Sequence, residues 1–152
     1  MMRIDLIAKS GGVFATLVFI HFVVDWVFQS HAAAMAKSTN SRIRGIHCAI
    51  YTAPFGVYMK LLGLSFPRIS IGLLVLFVSH FFEDTYIPVL LWAKHVRKPP
   101  EFDYVGLPTQ EKDIAAFKLF MGTPLGILLG ITIDQLIHLG FLWVVVGLIL
   151  WP

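Results

Sequence analysis

The sequence predicts an all-α polytopic membrane protein: four transmembrane helices in a bundle, with a short interfacial helix near 109–121. Three observations lead there. Of the 152 residues, 57% are hydrophobic and only 14% are charged, where a soluble domain carries roughly a quarter charged. Mean hydropathy is +0.78. Four segments approach the roughly 20 apolar residues that a bilayer-spanning helix needs, near 12–29, 45–64, 69–92 and 126–151. The whole chain, 1–152, reads as one integral membrane domain.

Prolines and glycines mark the segment edges. Pro67 precedes the third span, Pro99 and Pro100 follow it, and Pro124 precedes the fourth. Pro54 and Pro88 fall inside spans, where neighbouring helices can satisfy the freed carbonyls. Trp26, Trp92, Trp143 and Trp151 lie towards span ends, as interfacial aromatics do. The first span ends in SHAAAMAKS, which resembles a cleavage site. Two ionisable residues inside the apolar run argue against a signal peptide, so a retained helix is expected, extended to about Lys37. In the third loop, TQEKDIAAFKLFMG reads as a helix capped by Thr109, with Ile114, Phe117 and Met121 on its apolar face.

Loop charge sets the expected orientation. Arg3, Lys9, Lys60 and Arg68 lie on one side, against Lys37, Arg42, Arg44, Lys94, Arg97, Lys98, Lys112 and Lys118 on the other. The richer side should be cytoplasmic, which puts both termini on the non-cytoplasmic face of the inner membrane. The net charge of +3 is then explained by loops facing anionic headgroups and calls for no nucleic acid. The single cysteine, Cys48, excludes an intrachain disulfide framework and reads as a small core residue.

Every span carries ionisable or polar residues at helical spacing. The first has His21 and Asp25 in HFVVDW, with Gln29 one turn on. The second has His47 and Tyr51. The third has His80 and Asp84 in HFFEDT, and the fourth has Asp134 and His138. Residues i and i+4 share a helix face, so each pair is expected to point at one spot. The near repeat of HFVVDW in HFFEDT also suggests two facing hairpins. Glu83 sits off this face and ranks below the aspartates. His31 and His95, near span ends, are expected to pack, and Lys60 to snorkel.

Magnitudes favour a metal over packing. Each aspartate at a helix centre costs roughly 2.5–3.5 kcal/mol on insertion scales, so three cost on the order of 8–10 kcal/mol. Hydrogen bonds between membrane helices return only about 0.6 kcal/mol each. A structural zinc ion supplies about 10–16 kcal/mol. Imidazole and carboxylate are ligands of zinc, iron and manganese, and helical bundles build dinuclear sites from inward-facing acids and histidines. The expected ligands are His21, Asp25, His47, His80, Asp84, Asp134 and His138, with zinc favoured and iron or manganese as alternatives. Asp25, Asp84 and Tyr51 are the expected catalytic groups, acting on water whose pKa a zinc ion brings to about 7.

The segments HFVVDWVFQ, Lys37, HCAIY from His47 and IDQLIH ending at His138 resemble an uncharacterised family of small bacterial and phage membrane proteins. Its pattern is H-x-x-x-D-[FW]-x-x-Q, a lysine in the following loop, a histidine on the second helix and a late D-Q-x-x-H. The resemblance covers most of the chain and singles out His21, Asp25, Gln29, Lys37, His47, Asp134, Gln135 and His138. It implies no activity.

Four functions compete at this stage. The first is a metal-dependent hydrolase acting on a lipid or lipid-linked substrate, with Gln29, Lys37, Arg42, Arg44 and Gln135 binding an anionic head. The second is a metal-ion or proton transporter or sensor, which four spans would require as a homodimer. The third is a haem-binding bundle, and the fourth a non-catalytic membrane modulator.

Overall fold

A computed structural model describes residues 2–100 and 110–151. Among them there are helices and no strand. Seven α-helices follow in order: α1 (Met2–Phe22), α2 (His31–Ala36), α3 (Ser41–Leu61), α4 (Phe66–Glu83), α5 (Ile87–Trp92), α6 (Gln110–Met121) and α7 (Pro124–Leu150). Wider π-helical turns extend α1 over Val23–Val27 and α5 over Ala93–Arg97. The all-α class is as the apolar runs indicate.

Local chemistry sets the helix starts. Asn40 caps α3, its side-chain oxygen accepting from the backbone N–H groups of Arg42 and Ile43. Thr123 caps α7 by accepting from Gly126, with Pro124 opening the helix where its missing N–H is not needed. Gly126 is obligatory there, because a Cβ would run into the backbone carbonyl of Phe120.

The helices α1, α3, α4 and α7 pack in a ring: α3 on α4, α4 on α7, α7 on α1 and α1 on α3. Leu17, Tyr51, Phe55, Met59, Leu76, Leu142 and Val145 fill its centre. Phe19, Val57, Leu61, Leu74, Leu128 and Val144 point outward and are exposed, an apolar exterior far larger than a soluble monomer leaves open. Three stretches are long and apolar enough to cross a membrane: Ile7–Val27, Phe66–Glu83 and Pro124–Leu150. Helix α3 is 21 residues long, about 31 Å at helical rise. Its inward face carries Arg44, His47 and Thr52, which keeps it below that apolarity.

Two expected continuities break. The first span does not run on to Lys37. The chain leaves the helix after Val27, and Ser30 restarts it as the cap of α2, accepting from the Ala33 N–H. The third span stops at Glu83 rather than Trp92. Asp84 closes α4, and Tyr86 takes a left-handed backbone (φ 59°) before α5 begins across Pro88. A proline there cannot donate to the turn behind it, so the helix is re-nucleated rather than kinked.

Helix α6 is present where expected, though its cap Thr109 lies outside the described residues. It buries Ala116 and Phe120 against Ala93, flanked by Phe117 and Met121, while Ile114 stays exposed. Its buried face is therefore rotated from the expected Ile114–Phe117–Met121 stripe. His31 and His95 are exposed rather than packed.

Candidate metal centre

The breaks after α1 and α4 let the chain fold back towards the bundle, and the buried ionisable groups converge there. Asp25 comes from the π-turn after α1, His47 from α3, and His80 and Asp84 from the end of α4. All four are at most 6% exposed. His47 and His80 face each other there, each within 3.6 Å of an oxygen of both aspartates. His47 Nε2 is 2.9 Å from His80 Nε2, 3.1 Å from Asp25 Oδ1 and 3.6 Å from Asp84 Oδ2. His80 Nε2 is 3.6 Å from Asp25 Oδ1 and 3.5 Å from Asp84 Oδ2.

Spacings of this size suit neighbouring ligands of a tetrahedral ion. Zinc–nitrogen and zinc–oxygen bonds of about 2.0–2.2 Å place neighbouring ligand atoms about 3.4 Å apart around a tetrahedron. The five edges above span 2.9–3.6 Å. Asp84 Oδ2 is buried with no hydrogen-bond partner, and buried polar atoms are rarely left so. Cys48 Sγ lies within reach of the His80 and Asp84 donors as a softer fifth group.

Lys37 closes the centre from the side. Its Nζ is 2.7 Å from Asp84 Oδ1 and 3.5 Å from Asp25 Oδ1. Holding Asp84 by Oδ1 turns Oδ2 towards the histidines. Burial alone would depress the Lys37 ammonium, but the carboxylates of Asp25 and Asp84 more than offset this and hold it above the usual lysine range. Asp25 and Asp84 thus set two buried carboxylates against one buried lysine, and a bound cation would balance the remaining charge.

A second layer stands behind His80. His138 Nδ1 donates to the Asp134 carbonyl at 2.8 Å, so its Nε2 faces His80 Nδ1 at 2.8 Å and Glu83 Oε2 at 3.0 Å. Glu83 Oε1 is buried without a hydrogen bond. Tyr51 stacks on the His80 ring, with centroids 3.8 Å apart and planes 5° from parallel. Its hydroxyl is 3.0 Å from His21 Nδ1, and His21 Nε2 is 3.0 Å from Gln135 Oε1. Gln135 Nε2 donates to Asp134 Oδ2 at 3.1 Å. The Asp134 carboxylate thus orients the Gln135 amide, whose oxygen takes the His21 Nε2 proton. That leaves His21 Nδ1 to accept from Tyr51.

The residues singled out from the sequence therefore separate into layers. Asp25, His47, His80 and Asp84 cluster together. His21, Asp134 and His138 stand behind it, and Tyr51 is committed to His80 and His21. His21 and Asp25 do not converge, because the π-turn between them changes the rotation per residue that the i, i+4 argument assumes. Gln29 places its amide nitrogen 3.1 and 3.2 Å from the two ring nitrogens of His47. Arg42 is exposed. Arg44 is buried, bonded to the Ser38 carbonyl and stacked on Phe81. The roles of Lys37 and Glu83 were not legible from spacing. Glu83 had only its neighbour in HFFEDT as a signal.

A cleft of about 420 Å³ adjoins the centre at Asp25 and Lys37 and is lined as well by Gln29, His31, Asp134 and Gln135. No curated protein and no solved structure matches the chain. One family model, described as "Protein of unknown function (DUF3307)", matches residues 13–152, and the chain belongs to that family.

Proposed function

We propose that this protein is a membrane-embedded metal-dependent hydrolase acting on a lipid or lipid-linked substrate. The observation that carries the reading is the clustering of His47 and His80 with Asp25 Oδ1 and Asp84 Oδ2 at 2.9–3.6 Å, Asp84 Oδ2 being otherwise unpartnered. With His47, His80 and Asp84 as ligands, the position beside Asp25 and the cleft would stay open to water, as catalytic sites keep it. A divalent ion, zinc before iron or manganese, supplies Lewis acidity and makes water nucleophilic near neutral pH. Asp25, which lines both the donor cluster and the cleft, accepts the proton that water gives up. Lys37 balances the carboxylates, Tyr51 positions His80 by stacking, and Gln29 and Gln135 orient the substrate head.

In this reading α3 is the fourth span, and the chain forms one integral domain over 1–152. Its outward Ile46, Ile50, Val57 and Leu61 are exposed, as a lipid-facing stripe requires. The cluster lies at the bundle end that carries the eight-cation loops, hence in the cytoplasmic half, with both termini on the opposite side. The exposed Arg42 sits at that surface, suited to an anionic headgroup.

The test is turnover in vesicles. Synthetic glycerophospholipid and lipid-linked diphosphate are offered to wild-type protein, to chelated protein with and without added zinc, and to Asp25→Asn. Metal-dependent product formation lost in Asp25→Asn is expected. Metal-loaded, folded protein that releases no product from either substrate sinks the hydrolase.

A further inference from the structure

The polar cleft has an apolar neighbour. A groove of about 570 Å³ lies between α5, α6 and the turn after Lys37, within the roughly 300–1,000 Å³ range of small-molecule sites. Ile87, Leu90, Leu91, Ile114 and Phe117 form its walls, and Lys118 stands at its rim. Beside it, Ala93, Ala116 and Phe120 seal α6 onto the bundle, yet Ile87, Leu91 and Ile114 remain exposed. The packing that fixes α6 thus stops short of the groove.

Tyr86 lines both the groove and the cleft. It is also one of only two non-glycine residues with positive φ among those described, a conformation that surrounding structure must enforce and that clusters at functional sites. Lys37 on the cleft side and Ser38 on the groove side are consecutive, so the two spaces share a wall in sequence as well as in space.

The geometry points to one amphiphile occupying both: its polar head in the cleft beside Asp25 and Lys37, and its aliphatic chain in the α5–α6 groove, with Tyr86 at the junction. This rests on the hydrolase reading for the head and adds a chain-binding site that the metal centre does not require. Apolar walls match a hydrocarbon chain, and the cleft's Gln29, Asp134 and Gln135 beside Asp25 match a polar head. The groove should therefore set a preference for long-chain over short-chain substrates.

The probe is a glycerophospholipid with a diazirine at the chain terminus, added in trace to vesicles of phosphatidylcholine and phosphatidylglycerol holding the full-length protein. After irradiation, labelled residues are mapped by mass spectrometry. Label concentrated on Leu90, Leu91, Ile114 and Phe117, and reduced at least tenfold by Leu90→Trp, is expected. Ile114→Trp fills the groove from the other wall and guards against misfolding of the first variant. Both variants should keep wild-type metal content and turnover of a short-chain analogue while losing turnover of the long-chain lipid. Label spread evenly over outward residues such as Phe19, Val57 and Leu74 overturns the groove, as does crosslinking between two copies through it. Groove labelling without any turnover upholds the chain site and overturns hydrolysis.

Discussion

Replacing Lys37 by Met tests whether this lysine belongs to the buried centre. Its ammonium is 2.7 Å from Asp84 Oδ1 and 3.5 Å from Asp25 Oδ1, and its side chain is only 10% exposed. Methionine keeps most of the volume and removes the charge, leaving both carboxylates without their cation. Breaking a buried pair from one side costs about 3–5 kcal/mol, and that is the expected loss in chelated protein. A bound divalent ion attracts the same two carboxylates, and saturation at about a thousand times Kd returns about 4 kcal/mol. The metal-loaded variant should therefore regain about the stability of chelated wild type. Asp25 and Asp84 raise the Lys37 pKa in the folded protein, net of burial. Its contribution is then fully present below the unfolded lysine value of about 10.4 and is lost only as pH rises past the folded one. Unfolding in mixed micelles at pH 7.5 reads all of it. A loss below about 1 kcal/mol in chelated protein refutes the reasoning and returns Lys37 to the role of a headgroup contact.

Glu83→Gln weakens the layer behind His80, and metal affinity should fall about 10–100-fold, measured by competition with a chromogenic chelator. Tyr51→Phe removes the bond to His21 but keeps the ring on His80. About 0.5–1.5 kcal/mol of stability should go, with metal content unchanged by elemental analysis. Gly126→Ala forces a Cβ into the Phe120 carbonyl and should destabilise the α6–α7 corner by about 1–3 kcal/mol, seen as faster proteolysis at that turn.

What the sequence made legible was the periodic part. Apolar runs located α1, α3, α4 and α7, and helical spacing placed His80 beside Asp84. The departures follow from backbone chemistry that hydropathy does not register. Ser30 ends the expected continuous helix through a local cap, and that signal was available in SHAA. The left-handed Tyr86 and the π-turn at Val23–Val27 leave no such mark. Because of that π-turn, His21 pairs with Tyr51 and Gln135 while Asp25 reaches His47. Lys37 was legible as a basic loop residue. Its descent between Asp25 and Asp84 depends on α2 folding back, which spacing cannot reveal. Of the residues that meet, Asp25, His80 and Asp84 lie at the ends of α1 and α4, while His47 comes from within α3.

Metal content tests the buried centre most directly. Protein purified without chelator, in detergent, is analysed for zinc, iron and manganese beside His80→Ala and Asp84→Asn. The centre described here predicts close to one ion per wild-type chain, and a loss of most of it in both folded variants. Metal-free wild-type protein that cannot be loaded, or variants that retain the full complement, would contradict it.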